Sequence, residues 1–173
     1  MHALNSVAQA SALTTHTALT AWSVASNFLI IIVLVALLFL FARYVGRGPF
    51  VALLFSFYAA YALYIAFPYA SLLPSAPLMT ALLAHIGLYA GLAGAFYITL
   101  RRVVVSDFLS IGFLGLIILS FFGAAFLLAL AYHLFSVATA YHFTSAISAL
   151  FAPSQYFFWW FAAPAIGLFF LAR

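Results

Sequence analysis

Apolar residues run along this chain in long blocks, separated by short breaks that hold its arginines and most of its prolines. A helix that spans a bilayer needs about 20 predominantly apolar residues at a rise of ~1.5 Å each. Five stretches meet that length, at roughly 22–42, 50–67, 77–100, 108–135 and 155–172. The last is the shortest and carries Pro164 in its middle, with Ser154 placed to cap its start. Proline kinks such a helix and is tolerated in membranes when neighbours take up the freed carbonyl. The pattern predicts an all-α integral membrane protein, a bundle of five transmembrane helices forming one domain over 22–173. A neutral tail rich in Ser, Thr and Ala, 1–21, precedes it.

The breaks carry the expected punctuation. Residues 43–49, RYVGRGP, read as a tight turn with Pro49 at the first position of the next helix. Residues 67–77 form a proline-rich loop in which Ser75 caps the third helix. Arg101 and Arg102 close that helix, and Asp107 caps the fourth, each suiting the local helix dipole. Between the fourth and fifth spans, Val137, Tyr141, Ile147 and Phe151 share one face, with Thr139, His142 and Ser145 on the other. That is the pattern of an interfacial amphipathic helix around 137–152. Read instead as a sixth span, the stretch puts Arg173 on the opposite side from the other arginines.

Composition sharpens the class. Of 173 residues, 70% are hydrophobic and 3% charged, where a soluble domain has about a quarter charged. An aromatic content of 20% excludes a solvated disordered chain. The charges are five arginines and Asp107, with no lysine, glutamate or cysteine. Schiff-base chemistry, a P-loop lysine, thiolate nucleophiles and cysteine-held metals are therefore excluded. One carboxylate cannot form the pairs used by glycosidases, aspartic proteases or di-iron bundles.

The arginines set an orientation. With five spans, Arg43, Arg47, Arg101, Arg102 and Arg173 fall on one side. The positive-inside rule makes that side cytoplasmic, with the N-terminus outside, in a bacterial or archaeal cell membrane. No basic segment precedes the first apolar run, so a signal anchor is expected there and not a cleaved signal peptide. Beyond fixing topology, Arg43, Arg47, Arg101 and Arg102 suit anionic lipid headgroups.

Small residues four apart mark helix contact faces in lipid. Gly87, Gly91 and Ala95, with Gly94 beside them, form such a row in the third helix. Ala52, Ser56 and Ala60 form one in the second, and Gly112, Gly115, Ser120 and Gly123 a broader arc in the fourth. Packing within the bundle is the first expectation for these rows, a dimer interface the second. Tyr58 and Tyr61 lie deep enough that each hydroxyl needs a partner, such as a carbonyl of a neighbouring helix.

Two histidines belong to the spans. His85 lies ~12 Å inward from Pro77, and His133 within roughly 10 Å of the matching end of the fourth helix. Tyr64 and Tyr61 reach comparable depth. Histidines on adjacent helices can be axial ligands of haem b or a chlorin, or bind a quinone headgroup. A neutral imidazole bonded to tyrosine or a carbonyl costs little and is the first expectation for both, and no third ligand for zinc or copper is evident. His2 and His16 lie in the tail.

Three functions follow as expectations. The first is a non-enzymatic accessory, assembly or scaffold subunit of a larger membrane or envelope complex, without a cofactor. Its partners are membrane lipids and other membrane subunits or further copies of the chain, not nucleic acid. The second is an electron-transfer subunit holding haem b or quinone at His85 and His133. The third is a small channel or transporter for a neutral solute.

Overall fold

A computed structural model describes residues 22, 28–69, 73–103, 112–135, 137, 143 and 145–171. It is a membrane helical bundle, all-α among the described residues. The helices are α1 (Phe28–Tyr44), α2 (Arg47–Ile65), α3 (Leu78–Val103), α4 (Phe113–His133), α5 (Ser145–Phe151) and α6 (Ser154–Leu171). Four of them, α2, α3, α4 and α6, are long and apolar enough to cross a membrane. The described part of α1 is shorter and equally apolar, and it runs past the expected end at residue 42.

Several expected boundaries move. Gly46, at φ 112°, turns the chain between α1 and α2 in a conformation that disfavours any side chain. Helix α2 then starts at Arg47, so Pro49 is its third residue and not its first. Its missing N–H is harmless there, because first-turn amides have no partner within the helix. Pro77, whose carbonyl accepts from Ala81 N–H at 3.0 Å, stands where Ser75 was expected to cap α3. Gly112 and not Asp107 is the N-cap of α4, and Asp107 lies outside the described residues. Of the amphipathic stretch 137–152, the structure describes α5, with Ile147 and Phe151 buried as the spacing predicts. Tyr141, Thr139 and His142 lie outside the described residues, as do 1–21 and Arg173.

Helices α2 and α3 pack as one close pair and α4 and α6 as another. Large side chains join the pairs. The Phe126 ring of α4 lies 4.9 Å from Tyr58, 6.3 Å from Phe57 and 5.3 Å from Phe161 of α6. Two glycines set the closest approaches. A Cβ on Gly123 would lie 2.9 Å from Leu54 Cδ2 and 3.1 Å from Leu38 Cδ1, so α1, α2 and α4 converge there. A Cβ on Gly167 would lie 2.8 Å from Phe122 Cδ2, fixing α6 against α4. Without a hydrophobic force between helices in lipid, such close van der Waals contact is what holds a bundle together.

The rows of small residues divide. Ala52, Ser56 and Ala60 of α2 are fully buried, and Gly115, Ser120 and Gly123 of α4 are buried too. The α3 row corrects the expectation of packing within the bundle. Gly87, Gly91, Gly94 and Ala95 are exposed, and Cβ atoms on the three glycines would meet nothing within 4 Å among the described residues. The buried residues of α3 are Tyr89 and Ala93, about half a turn round the helix. Tyr89 wins that face because its ring fills space against α2 while its hydroxyl donates to Phe57 O at 3.0 Å.

Buried hydroxyls elsewhere find carbonyls. Ser56 Oγ donates to Leu53 O at 2.6 Å and Tyr58 to Phe161 O at 2.5 Å, across to α6. Helix α6 continues through Pro164, which removes the amide that would pair with Trp160 O. The Tyr58 hydroxyl reaches α6 one residue further on. Ser120 Oγ is the exception, buried without a partner among the described residues.

Gly123→Val and Gly167→Val are expected to destabilise the bundle by about 1–3 kcal/mol through overpacking. Gly87→Ala and Gly91→Ala should be neutral or stabilising by up to about 1 kcal/mol, since alanine suits helices better. Ser120→Ala removes an unpaired hydroxyl and should stabilise by about 1 kcal/mol. Unfolding titrations in mixed micelles measure all five variants; a Gly91 variant as damaging as that at Gly123 would contradict this packing.

Candidate functional site

The last turn of α2 and the second turn of α3 meet at the end of the bundle remote from Arg47, Arg101 and Arg102. There Tyr64 Oη lies 2.7 Å from His85 Nδ1. Tyr89 and Phe135 close round the pair in edge contacts, with Tyr64–Phe135 at 5.8 Å and Tyr89–Phe135 at 5.5 Å. A partly open cavity of about 240 Å³ adjoins them. Leu78, Ala81 and Leu82 of α3 wall one side, and Leu134 and Phe135 after α4 the other.

A neutral imidazole has one donor and one acceptor nitrogen. If Tyr64 donates to Nδ1, one bond satisfies the phenol proton and the bare nitrogen, leaving the ring proton on Nε2. The opposite arrangement leaves both the phenol proton and Nε2 unpaired. The first costs less in a medium of low polarity. His85 Nε2–H then has no partner among the described residues.

His133 belongs elsewhere. Its Nε2 donates to Phe151 O at 3.0 Å, and its ring packs on Phe157 at 4.7 Å, tying α4 to α5 and α6. Tyr61 packs on the same Phe157 and on Phe161, at 6.2 and 5.0 Å. The structure thus brings Tyr64 and His85 together, and turns His133 and Tyr61 toward α6. Axial ligation of one haem iron needs a free nitrogen from each histidine on a common axis. His133 donates through Nε2 to Phe151 O on a different wall from His85 and keeps Nδ1 as its second ring nitrogen. Among the described residues no three metal-ligating side chains converge.

The arginines occupy the other end. Arg43 and Arg47, both exposed, line a cavity of about 390 Å³ with Gly46, Phe113 and Leu116. Arg101 lies over the Tyr97 ring at 5.9 Å, and Arg102 is exposed. A third recess, of about 520 Å³, runs along Leu150, Tyr156, Trp159, Trp160 and Ala163 on α5 and α6. Sequence reasoning missed this recess; the Trp159-Trp160 pair was its one visible signal. Comparison with family models, with curated proteins and with solved structures gives no match.

Tyr64→Phe should remove the bond to Nδ1 and move the ring proton of His85 between tautomers. Nitrogen NMR of histidine-labelled protein reads that exchange directly. A His85 spectrum identical in the variant would contradict the bond.

Proposed function

We propose that this chain is a non-enzymatic multi-pass membrane subunit that assists or scaffolds a larger membrane complex. One observation carries the reading: α3 buries only Tyr89 and Ala93 in the bundle and leaves Gly87, Gly91 and Ala95 open. A row of small residues lets a second helix approach closely, and lipid chains fill such a groove less well than a helix does. The poverty of charged and nucleophilic side chains supports the same reading. In this account the arginine-bearing end faces the cytoplasm, the N-terminus lies outside, and the membrane is a bacterial or archaeal cell membrane. Arg43, Arg47, Arg101 and Arg102 set that orientation and contact anionic headgroups.

Purification in mild detergent followed by native mass analysis should give this chain with stoichiometric membrane companions. A Gly87→Leu, Gly91→Leu double variant should lose them while its own unfolding is unchanged. A wild-type chain recovered as a lone monomer would defeat the proposal.

A further inference from the structure

We infer that the cavity beside Tyr64 and His85 binds the ring-ketone headgroup of a lipid-soluble quinone, with His85 Nε2–H donating to one carbonyl. The site serves the chain whether or not a partner is docked on α3, so it stands apart from the proposed assembly role. Two observations converge. The imidazole is held from one side, because Tyr64 Oη lies 2.7 Å from Nδ1 and the arrangement that leaves fewest groups unpaired has the phenol donating. The opposite nitrogen is left as a donor without a partner among the described residues. Such a donor in hydrocarbon gains most from a strong, uncharged acceptor, and a ketone carbonyl is one.

Shape narrows the ligand further. The cavity, about 240 Å³, falls below the ~300–1,000 Å³ that encloses a whole drug-sized molecule. It has room for one substituted six-membered ring and none for a porphyrin. Its walls are the aliphatic side chains of Leu78, Leu82 and Leu134 and the ring of Phe135, which suit a flat apolar headgroup. Leu78 is also exposed on the bundle surface, so a long tail can leave the cavity into the bilayer.

Depth separates a quinone from the other carbonyl source in a membrane, the ester of a phospholipid. Helix α3 has 26 residues, a length of ~39 Å against a hydrocarbon thickness of ~30 Å. Centred in the bilayer, it carries about 4–5 Å beyond the hydrocarbon at each end. His85, seven residues on from Leu78, then lies roughly 6 Å inside the hydrocarbon boundary. Glycerol esters sit at that boundary, whereas a quinone ring moves freely below it.

The test uses the full chain in phospholipid nanodiscs titrated with decylubiquinone, followed by infrared difference spectroscopy. Saturable binding of one quinone per chain is expected, with one carbonyl band moved to lower frequency. His85→Phe should weaken binding at least ten-fold and return that band to its position in free quinone. Leu82→Trp, which fills the cavity without touching the Tyr64–His85 bond, should weaken it comparably and covers the case in which His85→Phe does not fold. Linear partitioning without saturation would overturn the inference. So would saturable binding that Leu82→Trp leaves unchanged. A shifted phospholipid ester band that is present before quinone is added and lost in Leu82→Trp would assign the cavity to lipid instead.

Discussion

The bundle depends on how closely α4 is approached at Gly123. In hydrocarbon, burying a leucine against another helix gains little over leaving it among lipid chains, so association rests on the number of atoms brought to contact distance. Gly123 admits Leu54 and Leu38 to the backbone of α4 from two helices at once. Gly167 does the same for the ring of Phe122. With those approaches set, Phe126 reaches both Tyr58 and Phe161, and the Tyr58 hydroxyl reaches a carbonyl of α6.

Polar side chains inside this packing obey a second constraint, that each donor must find an acceptor without water. Tyr58, Tyr89 and His133 all meet carbonyls of a neighbouring element. The half-buried Tyr61 hydroxyl has no hydrogen bond among the described residues, and Ser120 and His85 depart from the rule in different ways. Ser120 Oγ is fully buried in the bundle without a partner among the described residues. His85 is half-buried and borders a cavity, so the same shortage of partners there leaves a ring nitrogen beside open space.

Length and hydropathy made the spans legible, because bilayer thickness dictates them and little else competes. The buried face of α5 was legible as well, since Ile147 and Phe151 stand one turn apart on a short helix. The facing of α3 was not. A row of glycines packs equally well within a bundle or between bundles, and the choice was made by Tyr89, which has volume to fill space and a hydroxyl to bond Phe57 O. The start of α4 differs as well. An aspartate is a good cap, but the described helix begins after Gly112, in extended conformation at ψ 168°. For the histidines, depth along the helix was readable and direction round it was not. His85 and His133 lie near the same end of the bundle, yet one bonds Tyr64 and the other Phe151 O.

The open face of α3 is the surface proposed to be covered by another helix in the native membrane. The chain has no cysteine, so single cysteines can be placed without background. Spin labels at Gly87, Gly91 and Ala95, and at the exposed Leu37 of α1 and Phe169 of α6 as lipid-facing references on other helices, would be compared for collision with dissolved oxygen in native vesicles and in nanodiscs holding the isolated chain. The account predicts that the first three are shielded in native vesicles and become as accessible as the references once the chain is isolated. Equal, lipid-like accessibility at all five positions in both preparations would contradict it.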